Sequence, residues 1–453
     1  MVTVSSRAEQ APEQRSRYRW IVLALLFTTY TVAYADRANV GIVIPFMKRD
    51  YGLTNTEAGL ILALFALSYA LFQVPAAFVV KRLGIRKSFS LFMGATSIVS
   101  GAMAFMTSAA SFSLCRFILG VTEAPVAVGA VTTVNNWFPP KEKGRAIGIL
   151  ISSSKFAPVV VPPLGAYIIY AFGWHHVFLV FAIPGLLLAG LWWLMVPNVP
   201  AESRHCNSAE VDHIAGRGRS ADTGSGGTVS QAFGDMGLLD RIIRLRRVAP
   251  IRTASGVFRS WNVWGAALGY FCLAGIIGVI LTWLPTYLIE VRKMAILKVG
   301  FVAAAPFAGA VIGNIAGGWL SDSIFGGRRK PIMFVSAIST IATMFALVNA
   351  PANAIILAAA LFGTGFLLSV GYAPYTIYAS RMTTRETFPL AMSLTNTGGQ
   401  MGTAAFPFLT GMILDRANWD AVFLMLSGSA FVAFLILLTI VEPVEADAGQ
   451  AAA

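Results

Sequence analysis

Apolar runs of about 20 residues or more recur along this chain, each long enough to cross the ~30 Å hydrocarbon layer of a bilayer as a helix. They fall at residues 20–46, 57–80, 87–107, 111–137, 145–170, 174–196, 260–289, 297–320, 331–349, 352–379, 387–413 and 419–441. No other feature narrows the fold as far. In hydrocarbon every backbone N–H and C=O needs an internal partner, and only helices or closed barrels supply one. The expectation is an all-α polytopic membrane protein with twelve transmembrane helices in two bundles of six. It divides into a cytoplasmic tail at 1–19, a first bundle at 20–196, a cytoplasmic central loop at 197–259, a second bundle at 260–441 and a tail at 442–453. The central loop carries Gly and Ser at 223–227 and then an arginine-rich stretch. A flexible segment followed by an amphipathic surface helix near 236–248 is expected there. The first apolar run is too long for the core of a cleaved signal and is expected to remain in the protein.

Composition matters at two points. The chain is 56% hydrophobic and 12% charged, against about 25% charged in soluble proteins. Its net charge of +13 would suit a nucleic-acid partner, but location explains it better. With both termini and the central loop in the cytoplasm, 25 of the 34 Lys and Arg lie on that side, 6 lie in the opposite loops and 3 lie inside helices. This is the bias that orients membrane proteins, so a multi-pass cell (inner) membrane protein is expected and no nucleic-acid partner is called for. Cys115, Cys206 and Cys272 are sparse and unpaired in spacing, which offers neither a disulfide framework nor a metal motif. No P-loop, nucleophile elbow or ligand cluster is present in the sequence, so neither an enzyme nor a cofactor is expected.

The chemistry is concentrated in five ionisable residues inside the spans: Asp36, Arg37, Arg116, Glu123 and Lys155. A charge at bilayer depth costs roughly 2.5–3.5 kcal/mol on insertion scales, so such residues face a protein interior or a water-filled path. All five belong to the first six spans. Arg116 and Glu123 are two helical turns apart and share a face, with about 10 Å between them along the axis. Lys155 lies about 15 Å beyond Arg145 along its helix, too deep to snorkel easily. It either neutralises a buried carboxylate or contacts a substrate. The second six spans hold no interior charge and instead offer neutral groups, among them Tyr270, Tyr372, Tyr375, Asn396 and Gln400.

Particular motifs carry a resemblance. Gly317-Gly318-Trp319-Leu320-Ser321-Asp322 with Arg328-Arg329-Lys330 resembles the cytoplasmic signature of the major facilitator superfamily. Tyr34-Ala35-Asp36-Arg37-Ala38-Asn39, Arg116-Phe117 to Glu123-Ala124, Asn136-Trp137-Phe138-Pro139-Pro140, Trp283-Leu284-Pro285-Thr286-Tyr287-Leu288 and Asn396-Thr397-Gly398-Gly399 are similar to its anion:cation symporter family. That family includes galactonate, hexuronate and glucarate permeases and is related to lysosomal and vesicular organic-anion transporters. The resemblance implies the major facilitator fold, a monomer, and proton-coupled uptake of a small organic anion such as a sugar acid. It implies Asp36 and Glu123 as proton-binding groups, Arg37 and Arg116 as substrate and charge-balancing groups, and Tyr34, Tyr69 and Asn396 as cavity residues. Lys155 and Tyr375 join the expected substrate-binding set, and Gly318, Asp322 and Arg82 the gating motif.

Three departures qualify what is carried over. Lys81 stands where the family pattern after the second span has an aspartate, so the cytoplasmic gate must close differently. Lys155 replaces a small or amide residue, which suits a second acidic group or an aromatic acid. The run Gly371-Tyr372-Ala373-Pro374-Tyr375 is more aromatic than a sugar-acid site requires. Alternatives to the symporter reading are therefore an organic-anion or phosphate-ester exchanger without protons, and uptake of an aromatic acid or dicarboxylate.

Overall fold

The computed structural model describes residues 15–215, 237–349, 353–384 and 386–445. Helices α1 Tyr18–Tyr51, α2 Asn55–Ala102, α3 Ala109–Trp137, α4 Pro140–Phe172 and α5 His175–Met195 cover the first six apolar runs. Two runs share α2, whose regularity breaks only at Gly84, with φ +76° and ψ 169°. A Cβ at Gly84 would sit 2.6 Å from the Asn198 amide oxygen, which accepts a bond from the Arg86 backbone N–H at 3.1 Å. Only glycine suits both the positive φ and that approach. The start of α2 is fixed by a capping box between Thr54 and Glu57, and α1 ends at the left-handed Gly52, as helix termini require partners for their free backbone groups.

After the short helices α6 Ser208–Ala215, α7 Leu238–Ile242 and α8 Ala254–Arg259, the remaining apolar runs form α9 Trp261–Glu290, α10 Ile296–Ser323, α11 Lys330–Ala346, α12 Ala354–Val370, α13 Tyr372–Tyr378, α14 Phe388–Leu414 and α15 Trp419–Thr439. The run expected at 352–379 is thus broken at Gly371 into α12 and α13. Small residues let these helices approach closely. Gly309, Gly313 and Gly317 of α10 meet the α12 backbone, each placing a notional Cβ about 2.1–2.3 Å from a carbonyl of Phe362, Phe366 or Val370.

The expected surface helix at 236–248 is replaced by the single turn of α7 and a strand, β1 Leu245–Val248. This strand pairs in parallel with β2 Glu442–Glu445, in the register Leu245 with Glu442, so the start of the expected C-terminal tail is paired chain. The cause is local chemistry. Glu442 is fully buried and accepts the backbone N–H groups of Arg329 and Lys330 at 2.9 and 2.7 Å. Lys330 in turn donates to the carbonyls of Ile243 and Ile440 at 2.6 and 2.7 Å. Arg328 grips Asp240 with two bonds of 2.6 and 2.8 Å. Gly and Ser at 223–227, and the flexibility expected there, lie outside the described residues.

The other end of the central segment is anchored to the first bundle. Glu210, on α6, accepts from the Ser16 hydroxyl, the Tyr18 and Arg19 backbone N–H groups and the Arg19 guanidinium, the last at 2.9 Å. Burial alone would raise its carboxyl, but these donors hold it below the usual carboxylate range. A lowered native pKa stabilises the fold at neutral pH, and that stability is lost as pH falls through the acid range. Glu210→Ala is expected to cost roughly 2 kcal/mol at pH 7, because two backbone N–H groups lose their acceptor while Arg19 keeps Glu142 at 2.9 Å. Thermal unfolding of the purified protein checks this, and the gap between variant and parent should narrow below about pH 4.

The halves meet at the end of the bundle opposite the termini. There a notional Cβ on Gly41 would stand 2.5 Å from the Leu281 carbonyl, one on Gly59 2.7 Å from that of Pro407, and one on Gly411 2.2 Å from that of Asn55. Lys48 pairs with Glu290 at 2.8 Å, and Asp415 accepts the Asn55 and Thr56 backbone N–H groups at 2.9 and 2.8 Å. Toward the termini Val74 and Phe78 of α2 are 69% and 68% exposed. A separate core made wholly of first-half residues, including Phe89, Trp137 and Trp192, fills that end. The bundle is therefore sealed at one face and divided at the other, around a central cavity.

Candidate functional site

The cavity, of about 150 Å³, lies between the halves, and its wall includes Tyr34, Arg37, Arg116 and Lys155 from one and Tyr270 and Tyr372 from the other. Successive helix positions point about 100° apart, so Asp36 and Arg37 on α1 face different neighbours. Arg37 turns to the cavity and grips Glu123 of α3, its Nε and Nη2 donating to Oε1 at 2.8 and 2.5 Å. Its guanidinium also lies 4.4 Å from the ring centres of Tyr34 and Tyr69 and 5.0 Å from that of Phe65. This aromatic collar holds a cation at little entropic cost.

Asp36 turns the other way. It is 1% exposed and accepts from the Ser100 hydroxyl at 2.6 Å and the Asn39 amide at 3.2 Å. Arg116 bonds to the backbone carbonyl of Asp36 at 3.2 Å rather than to its carboxylate, and its guanidinium lies over Phe65 at 4.8 Å. Two turns along α3, Glu123 keeps Oε2 buried without a hydrogen-bond partner among the described residues, as does Nε of Arg116. Among the described residues the wall thus presents three cations and no carboxylate, with both acids behind it.

Lys155 enters from α4 with no carboxylate within ion-pair distance among the described residues. Its ammonium sits 3.8 Å from the centre of the Tyr372 ring, and Tyr372 packs edge-on to Tyr270 at 5.5 Å. Of the two uses open to a deep lysine, neutralising a buried acid is absent here.

Several expected site residues lie elsewhere. Tyr375 is 2% exposed and packs beside Gly269 and Tyr270, outside the cavity wall; Tyr372 takes the place expected for it, because three residues of helix turn the side chain to a different face. Asn396 is also outside the wall, and Gln400, one turn further along α14, lines it. Tyr69 acts as a flank of Arg37 rather than as wall. In the gating motif Asp322 pairs with Arg329 at 2.9 Å, but it is Gly317 that meets the Val370 carbonyl, whereas a Cβ on Gly318 would meet nothing within 4 Å. Arg82 and its neighbour Lys81 are exposed. Phe65 and Ser100 were not singled out from the sequence; an apolar ring and a lone serine inside apolar runs give no signal until a charge is seen against them.

The family model described as Major Facilitator Superfamily matches residues 26–305 and 293–453. The chain is 27% identical to the probable galactarate/D-glucarate transporter GudP of Bacillus subtilis (strain 168), over 95% of this chain and 94% of that protein. It is 26% identical to the D-galactonate transporter of Escherichia coli O6:H1, covering 95% and 97% respectively. Among solved structures, a bacterial homologue of the human lysosomal transporter Spinster superposes with a TM-score of 0.71 at 17% identity, over 93% of this chain and 95% of that one.

Proposed function

We propose that this chain, which belongs to the Major Facilitator Superfamily, carries a small organic anion together with protons by alternating access. Its family and its relatives are transporters rather than enzymes, and its fold is that of a multi-pass membrane protein with the twelve-helix facilitator architecture. The finer reading, symport of a sugar acid or other carboxylate, is supported chiefly by the Arg37–Glu123 pair at the cavity wall. A guanidinium fork suits either carboxylate, that of Glu123 or that of a substrate. Protonation of Glu123 weakens its hold and releases Arg37 to the anion. The five buried groups sum to a formal +1 with both acids ionised and to +3 with both protonated, so proton and anion each favour the other's binding.

The names of the relatives, galactarate/D-glucarate and D-galactonate transporters, support a carboxylate substrate. In this reading both termini and the central loop at 197–259 are cytoplasmic, and the described conformation, sealed opposite the termini, is the inward-open one. The chain works as a monomer in the cell (inner) membrane, and the halves rock about the central site. Proteoliposomes test the proposal. Uptake of D-galactonate or D-glucarate is expected to rise when the outside is made acidic and to collapse with a protonophore. Uptake indifferent to the pH gradient but dependent on an internal counter-substrate would replace symport by exchange.

A further inference from the structure

Lys155 carries an inference about the substrate that rests on the organic-anion reading of this same cavity. Two features set it. The first is charge. Arg37 already has Glu123 as a partner, whereas Lys155 faces the cavity with an aromatic ring and, among the described residues, no carboxylate. One carboxylate of a substrate, held by the arginines, leaves the lysine uncompensated in a low-dielectric site. A second anionic group reaching Lys155 removes that cost.

The second feature is the short supply of polar side chains in the wall, with Gln400 and Ser369 among the few neutral groups open to a ligand. Ser154, Thr282 and Thr403 line the cavity, but each donates its hydroxyl to a carbonyl of its own helix, at 2.7, 2.7 and 3.0 Å. Much of the rest is apolar or aromatic, with Leu62, Phe65, Ile277, Leu281 and Phe307 among it. A polyhydroxylated chain offers more hydroxyls than Gln400, Ser369 and the wall tyrosines can meet, and each one left without a partner costs about 1–3 kcal/mol. A planar apolar frame meets these walls at no such cost and can lie against the rings of Tyr34, Phe65 or Tyr372.

We infer that the preferred substrate is an aromatic dicarboxylate, one carboxylate held at Arg37 and Arg116 and the other at Lys155. The frame between them occupies the aromatic and aliphatic wall.

Thermal shift and counterflow on the full chain test this with phthalate, isophthalate, terephthalate, benzoate and D-glucarate as probes. At least one benzenedicarboxylate is expected to bind about tenfold or more tightly than benzoate, since a charged hydrogen bond is gained. It should also bind more tightly than D-glucarate. In Lys155→Gln the preference for the dicarboxylate over benzoate should disappear; Lys155→Arg should retain it. Because the ligand comparison on the unaltered chain stands alone, a variant that fails to fold does not rescue the inference. D-Glucarate binding more tightly than all three aromatic diacids overturns the inference and leaves the organic-anion reading standing. An undiminished preference in Lys155→Gln also overturns it. Failure of every one of these anions to bind the unaltered chain overturns both.

Discussion

Glu123→Gln is expected to abolish proton-driven accumulation of substrate while leaving counterflow exchange. The amide keeps the shape of the carboxylate and an oxygen to accept from Arg37, but it cannot take up or release a proton. Arg37 therefore stays available to the anion through the whole cycle. Loss of the ionic partner is costly in principle, about 3–5 kcal/mol when one member of a buried pair is removed. Here the guanidinium retains the rings of Tyr34, Tyr69 and Phe65 around it, which limits the damage to folding. The measurement is concentrative uptake against equal-substrate counterflow in proteoliposomes. A variant that still concentrates substrate under a pH gradient removes Glu123 from the coupling role. Asp36→Asn serves as a comparison, since Asp36 is held by Ser100 and Asn39 away from the wall; if both acids carry protons, it too should uncouple while sparing exchange.

The second large effect is conformational. Gly411→Val is expected to slow counterflow by at least about tenfold and to shift the resting population away from the described state. A side chain at 411 would enter the space within 2.2 Å of the Asn55 carbonyl, and that atom belongs to backbone, which cannot step aside without separating α2 from α14. The overlap is present only while this face is sealed, so it biases the equilibrium toward the state in which the face is open. A cysteine at Thr282, buried at the seam where Gly41 approaches it, reports the change in a chain with Cys115, Cys206 and Cys272 replaced. An impermeant thiol reagent applied from the face opposite the termini should label it faster in the Gly411→Val background. Unchanged labelling together with unchanged transport would show that this seam does not part during the cycle.

Much of this was legible in the sequence for a plain reason. Membrane helices are announced by length and apolarity, since a bilayer tolerates no unpaired backbone, and the twelve runs were read with only local adjustment. Buried charges were equally visible because they are rare and costly there; Arg37, Arg116 and Lys155 do line the cavity. Direction around a helix was harder. Apolarity on nearly every side of these helices leaves no polar face to set the phase, so Tyr375 and Asn396 were expected where Tyr372 and Gln400 stand. The surface helix expected at 236–248 failed differently. Its arginine-rich pattern fits a membrane-surface helix, but the partner that draws it into a strand is Glu442–Glu445, nearly two hundred residues away.

The sequence by itself determined that the chain spans a membrane many times, that one half holds the charge, and that acids and cations sit together in the interior. Tertiary structure decided the pairing: Arg37 with Glu123, Asp36 with Ser100, Lys155 with an aromatic ring and, among the described residues, no acid. Adjacent residues on one helix diverge by about 100°, and what each meets depends on which helices are packed against it. Composition and spacing along one chain carry no record of that.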